Sequence, residues 1–375
     1  MSTNFSNSYK LFLVVGAAVI AVLLAVLLRT GGGAVQSESV HVVVLVPLTG
    51  PGASLGVYVK NGVELAQVDV AKKSPSLVSV EFVDSKNLPK EGVSALQAAF
   101  LRKQPQVVIS AMSSVTKAIV PIVEQADIFT IATTTALTDL PKGTKTVVRM
   151  YPTSQDYIGP VVSFMLARHD RVAVLYVHDD FGESNQRVVS EMCRNASKQV
   201  VAAETYELGA MEIRETIGRI LSAKPDCVFV TGYGPAFISA FKQLREANKD
   251  IPIYSELGFG NPAVLDALGS VADGIVFNGT ELESFAPENP QVTQFQVQYR
   301  ERFKSEPYQV AGYAYDSIMQ IAALAEHKGR IDKSSWVSHS PVKGVMGQIA
   351  FTQEGECGTQ LRVMRREGLK SLWVK

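Results

Sequence analysis

Strands alternating with helices along most of a 375-residue chain predict an α/β fold of two lobes built on parallel sheets. Three observations carry this. Short apolar runs recur between turn residues with no polar face, as strands buried on both sides require. Stretches of roughly 10–15 residues with helical apolar spacing separate them, the signature of βαβ units. The pattern then runs a second time with no Pro/Gly/Ser-rich linker between. Two compact lobes joined that closely predict a hinge and a cleft, in a chain long enough for about two domains.

In the first run, His41–Val46 (HVVVLV) reads as a strand, Gly56–Val70 as a helix ending before Ser74-Pro75, and Val78–Val83 as a strand. Lys90–Arg102 is an amphipathic helix, Gln106–Ile109 a short strand and Ser114–Gln125 a helix. Ile128–Ile131 and Thr146–Arg149 are strands. The second run has helices at Asp156–Arg168, Glu183–Ser197, Ile213–Ala223, Pro235–Ala247 and Pro262–Leu268. Its strands are Arg171–Val177, Gln199–Thr205, Asp226–Val230, Pro252–Tyr254 and Gly274–Phe277. Two long helices follow, Pro290–Phe303 and Gln309–Glu326, and then antiparallel strands at Gln348–Phe351, Gln360–Arg365 and Leu372–Val374.

Hydrophobic residues at 46% and charged residues at 19% exclude a disordered chain. Lys+Arg and Asp+Glu are 36 each, so there is no basic footprint for nucleic acid. Cys193, Cys227 and Cys357 allow at most one disulfide, and Cys193 and Cys227 sit in apolar patterns as packed thiols. No C-x-x-C pair exists and the five histidines are scattered, so spacing predicts neither a metal nor any cofactor. Leu11–Leu28 is apolar without a charge, long enough as a helix for about 27 Å of bilayer. Residues 1–35 are expected to be a signal peptide or membrane anchor; the length favours the anchor, while Gly32-Gly33-Ala34 offers a cleavage site. The remainder is then expected outside the cytoplasm, periplasmic or at the cell surface, tied to the membrane if uncleaved.

In open parallel sheets, ligands bind beyond the carboxyl ends of the strands. That selects Ser110–Thr116 and Ala132–Thr138, two hydroxyl-rich loops that lead towards helices, whose N-termini favour anions. Taken singly, Ser113 and Thr138 would be helix caps; two such loops in one lobe argue equally for binding. In the second lobe, Val177–Gly182, Thr231–Pro235 and Ser255–Asn261 offer aromatic walls and carboxylates. His178-Asp179-Asp180 reads as a solvated polar run, without a second histidine nearby to suggest a metal. Gly52-Ala53-Ser54-Leu55-Gly56 matches the G-x-S-x-G hydrolase elbow, but the preceding strand ends near Val46, with Pro47 and Pro51 between. No acid–histidine pair completes a triad, so an enzyme is not expected. Gly232/Gly234 and Gly258/Gly260 lack the third glycine of a nucleotide motif.

Several of these segments together carry a resemblance. They are Val46–Pro51 (VPLTGP) with Gly56, Met112–Thr116 (MSSVT), Thr133–Thr135 before Leu140, and Tyr151–Asp156 (YPTSQD). His178–Gly182 (HDDFG), Gly312–Asp316 (GYAYD), and Gly344–Phe351 (GVMGQIAF) with Gly355 complete the set. In order and spacing they resemble the type I periplasmic solute-binding proteins of ABC transporters, in the Leu/Ile/Val-binding branch. The resemblance spans roughly residues 40–375. It implies two Rossmann-like lobes joined by a three-segment hinge, with 40–153 and 284–340 in lobe one and 154–283 and 341–375 in lobe two. The crossings fall near Tyr151–Asp156, Thr280–Ser284 and Ser340–Gly344.

By resemblance, a small molecule, an amino acid or a related carboxylate or amide, binds in the cleft for delivery to ABC-type permease subunits. The carboxylate and ammonium contacts carry over to Ala111, Met112, Ser113, Thr134, Thr135 and Ala136. The aromatic wall carries over to Leu55, Phe181 and Tyr233, and an acidic contact to Glu256 or the neighbouring Leu257. Leu55 stands where an aromatic residue is usual, Phe181 where tyrosine is usual, and Ala136 where a ligand-contacting threonine is usual. The acid is displaced by one position to Glu256. These departures predict a ligand less polar than leucine. A membrane-tethered sensing subunit, or an envelope regulator with the same fold, is the alternative role.

Overall fold

The structure is a computed structural model describing residues 39–283, 287, 289–327, 329–358 and 361–374. The apolar segment Leu11–Leu28 lies outside the described residues. Among the described residues, no helix is long and apolar enough to cross a membrane.

The first sheet has strands β1 (Val40–Val46), β2 (Val78–Asp84), β3 (Val107–Ala111), β4 (Phe129–Thr133) and β5 (Val147–Arg149). Their order is β2-β1-β3-β4-β5, and every pairing is parallel. β1, β3 and β4 are buried at every position, which explains why they read as mainly apolar runs, interrupted only by the buried His41, Ser110, Thr130 and Thr133. Helices α1 (Ala53–Lys73), α2 (Pro89–Arg102) and α3 (Ser113–Gln125) connect them.

The second sheet takes β6 (Arg171–Val177), β7 (Gln199–Tyr206), β8 (Cys227–Thr231), β9 (Ile253–Ser255) and β10 (Val276–Gly279). These strands run parallel in the order β10-β9-β8-β6-β7. Helices α4 (Ser154–Leu166), α5 (Asp180–Asn195), α6 (Arg214–Ser222), α7 (Gly234–Ala247) and α8 (Pro262–Leu268) belong to this half.

The chain then leaves its serial order. After α9 (Pro290–Phe303), helix α10 (Gln309–Glu326) returns to pack on α1 of the first half. The approach is close: a Cβ at Gly62 would lie 2.1 Å from the Ala311 carbonyl oxygen, so only glycine fits. A short helix α11 (Lys333–Ser338) buries Trp336 between Phe129 of β4 and Phe351. Phe351 belongs to an antiparallel ribbon of β11 (Val342–Gly344), β12 (Gly347–Phe351) and β13 (Cys357–Gly358). Asp316 of α10 holds this ribbon by accepting from the N–H groups of Val345 and Met346, each at 2.9 Å. The chain ends in β14 (Arg362–Glu367) and β15 (Lys370–Trp373), antiparallel strands that extend the second sheet beside β10.

Candidate ligand-binding site

At the carboxyl ends of both sheets, the connecting loops enclose a cavity of about 200 Å³. On the first sheet's side, Ser54 and Leu55 come from the start of α1, Met112 and Ser113 from the β3–α3 turn, and Thr134 from the end of β4. On the second sheet's side, Phe181 opens α5, Gly232–Pro235 form the β8–α7 turn, and Gly258, Asn261, Ala263 and Val264 follow β9. Tyr151, Tyr157, Ile238, Tyr308 and Val310 complete the described wall.

The first side is polar and strained. Met112 takes φ 74° and Thr134 φ 48°, conformations costing non-glycine residues about 1–3 kcal/mol each and concentrated at functional sites. The Met112 N–H donates to Thr134 Oγ1 at 3.2 Å. This geometry aims the N-terminus of the 13-residue α3 at the cavity. Ser113, only 4% exposed, has a buried Oγ with no partner among the described residues. An orphan hydroxyl beside free helix N–H ends suits a carboxylate or carbonyl oxygen.

The second side is aromatic, and the hydroxyls of its tyrosines are already paired. Ring centroids lie 5.7 Å apart for Tyr157–Phe181 and 6.0 Å for Phe181–Tyr233, both edge-on. The Tyr233 hydroxyl donates to Asp179 and accepts from Asn87 Nδ2 at 3.0 Å. Asn87 follows β2, so this chain of bonds ties the two halves together across the cavity mouth. Lys117 Nζ meets Asp180 at 2.6 Å as a second cross-link. Asp179 also caps α5 through the Gly182 N–H at 2.9 Å. Burial raises the Asp179 pKa above its ordinary value, against the lowering effect of Tyr233 and these N–H bonds.

Glu256 is fully buried and does not line the cavity. Its carboxylate accepts from Tyr157 Oη at 2.6 Å, from the Gly232 N–H at 3.3 Å and from the Gly258 N–H. Burial pushes its pKa up to about 7, against the opposing pull of those donors. Gly232 must be glycine here: it takes φ 154°, and a Cβ would lie 1.9 Å from the Tyr206 hydroxyl.

Leu55, Met112, Ser113, Thr134, Phe181 and Tyr233 line one cavity. Five other expected residues stand behind its wall. Ala111 is buried as the last residue of β3. The Thr135 hydroxyl turns inward to Thr116 Oγ1 and the Thr133 carbonyl, both at 3.1 Å. Ala136 offers its carbonyl to the Ser154 N–H and hydroxyl, and Leu257 its carbonyl to Tyr308 Oη. Glu256 is the fifth. Tyr157, Tyr308, Val310 and Asn261 line the cavity without having been singled out in the sequence. On helical spacing Tyr157 and Val310 look like core, Tyr308 precedes a helix, and Asn261 is the N-cap of α8. Ser54 lies in the first turn of α1 rather than on an elbow, and no histidine is among the described lining residues.

This architecture, a parallel sheet and a mainly parallel one with a cavity at the carboxyl ends of their parallel strands, defines a two-lobed α/β ligand-binding protein. The profile of the periplasmic binding protein family matches residues 39–364, and the chain belongs to that family. Among curated proteins, it is 24% identical to a leucine-specific-binding protein of Salmonella typhimurium, over 90% of this chain and 92% of that one. It is 22% identical to a Leu/Ile/Val-binding protein homolog of Brucella melitensis, over 84% and 87%. Among solved structures, an ABC transporter solute-binding protein from R. palustris in complex with benzoate superposes with a TM-score of 0.81 at 19% identity, covering 90% of this chain and 95% of that one. A branched-chain amino acid transporter substrate-binding protein from Streptococcus pneumoniae, in complex with isoleucine, superposes at 0.80 with 20% identity, covering 90% and 100%.

Proposed function

We propose that this chain is an extracytoplasmic solute-binding protein that captures an amino acid or a related small carboxylate or amide and delivers it to an ABC-type permease. The observation that carries the reading is the cavity itself. Loops from both sheets enclose it, with the α3 N-terminus and an unpartnered Ser113 hydroxyl on one side and aromatic rings on the other. Ser113, Met112 and Thr134 hold the ligand's carboxylate or carbonyl end. Leu55, Phe181, Tyr157 and Tyr233 wrap its body. Such a ligand is held by both lobes, so binding favours the closed arrangement that Tyr233–Asn87 and Lys117–Asp180 cross-link.

Lobe one comprises 40–153 with 284–340, and lobe two begins with 154–283. The contacts of the β11–β13 ribbon with Asp316, Trp336 and Arg149 favour lobe one for residues 342–358, leaving β14 and β15 to lobe two. The relatives named above support delivery to a permease. The apolar N-terminal segment supplies export or a membrane tether.

A thermal-shift screen of the chain against amino acids, aliphatic and aromatic carboxylates, and amides tests this reading. At about 100 times its dissociation constant, a ligand adds about 2.7 kcal/mol to the folded state. A clear upward shift with one of these classes, and no chemical change in that compound, is expected. Absence of a shift with every class would contradict it.

A further inference from the structure

We infer that the cavity selects carboxylates or amides that carry no cationic amine, and discriminates against α-amino acids. The inference rests on the solute-binding reading above and narrows its ligand class.

No aspartate, glutamate, lysine, arginine or histidine is among the described residues that line the cavity. An ammonium brought into it would meet only neutral oxygens. Burying such a charge without a counter-charge is costly, and a carboxylate is its usual partner. Three acids close to the wall could have supplied one. None is among the described lining residues, and each is held by its own donors. Glu283 accepts from Thr280 and from the Gln309 N–H, and Asp179 stays partly exposed. Glu256 is covered by the Tyr157 hydroxyl and the Gly232 and Gly258 N–H groups, and Tyr157, Gly232 and Gly258 are themselves lining residues. Asp179 is covered by the Tyr233 hydroxyl and the Gly182 N–H.

Aromatic faces can substitute for a carboxylate when they surround a cation. Here the rings pack edge to face on one another, at 83° for Tyr157–Phe181 and 61° for Phe181–Tyr233. They form a wall for an apolar body rather than a box of faces. The opposite end is built for an acceptor. Ser113 lines the cavity at the first turn of α3, and its buried Oγ has no partner among the described residues. One oxygen-bearing end and one uncharged body therefore match the cavity, and an amine beside that oxygen end does not.

The test is isothermal titration calorimetry of the full chain with paired probes that differ only in the amine: leucine against 4-methylpentanoate, and phenylalanine against 3-phenylpropanoate. Glycine betaine is the control for a cation held by aromatic rings. At least one desamino member is expected to bind at least about tenfold more tightly than its amino acid, a difference of about 1.4 kcal/mol. Glycine betaine is expected not to bind. Equal or tighter binding of the amino acids, or binding of glycine betaine, overturns the inference and leaves the solute-binding reading standing. Failure of every probe overturns both the oxygen-end assignment and the inference built on it.

A charge placed in the wall gives a second readout. Asn261 lines the cavity and caps α8 through its Oδ1, a role aspartate also fills. Asn261→Asp is expected to move the leucine to 4-methylpentanoate affinity ratio at least about tenfold towards leucine. An unchanged ratio would overturn missing negative charge as the cause of the discrimination.

Discussion

The β3–α3 turn and the β8–α7 turn occupy matching places in the two sheets and treat their polar atoms in opposite ways. In the first, the chain passes through Met112 at φ 74° and leaves the buried hydroxyl of the lining residue Ser113 without a partner among the described residues. In the second, it passes through Gly232 at φ 154° into Tyr233, whose hydroxyl is already held by Asp179 and Asn87. The same strand–turn–helix geometry thus yields a donor-rich end and a closed aromatic wall. Topology fixes where the cavity lies, and the pairing of a few side chains decides which chemical group each end receives.

The sharpest way to break this contrast is through Glu256. Its pKa is raised from 4.5 to about 7, so the folded chain keeps a proton that the unfolded chain releases between those values. Stability from this group is therefore present at low pH and lost as pH rises from about 4.5 to about 7, by an amount on the order of 3 kcal/mol. Denaturant melts of the parent and Glu256→Gln across that window should differ in slope, the variant being flatter. Ligand affinity should stay level over the same range, because the acid lies behind the wall. Affinity that titrates with Glu256 would move the acid into the site.

Ser113→Ala addresses the opposite end. A hydrogen bond to a charged group contributes about 1.5–3 kcal/mol, so affinity for a bound carboxylate should fall by roughly 10- to 100-fold. The unligated variant should melt no lower than the parent, since the hydroxyl it removes has no partner among the described residues. A drop in unligated melting temperature with unchanged affinity would make Ser113 structural.

Tyr233→Phe removes the bridge between Asn87 and Asp179 while keeping the ring. About 1 kcal/mol of closure energy should be lost, seen as roughly fivefold weaker binding and a more open solution envelope in X-ray scattering. Lys117→Ala removes the outer cross-link. Lys117 is 59% exposed and Asp180 34%, so the effect should stay below about 1 kcal/mol and shrink with salt.

The two turns were not equally legible in the sequence. Ser110–Thr116 and Ala132–Thr138 announce themselves as hydroxyls at the ends of apolar strands, and Met112, Ser113 and Thr134 do face the cavity. Glu256, expected from the sequence at the ligand, lies behind the described cavity wall. The groups that seal it, Tyr157 and Gly232, lie 99 and 24 residues away, and no local pattern reveals such a bond.

The central strands were legible because burial on both faces leaves few polar residues in them. The return of α10 onto α1 was not, since Gly62 against Ala311 is a contact between distant segments. Only the resemblance implied that exchange. Trp336 and α11 were missed because a six-residue helix carries too few turns for periodicity.

The most direct measurement is a crystal structure of the protein with 3-phenylpropanoate. The account predicts the carboxylate within hydrogen-bond distance of Ser113 and the α3 N-terminus, the ring against Phe181 and Tyr233, and Glu256 still bonded to Tyr157. A carboxylate placed at the aromatic side, or Glu256 turned out to meet the ligand, would contradict it.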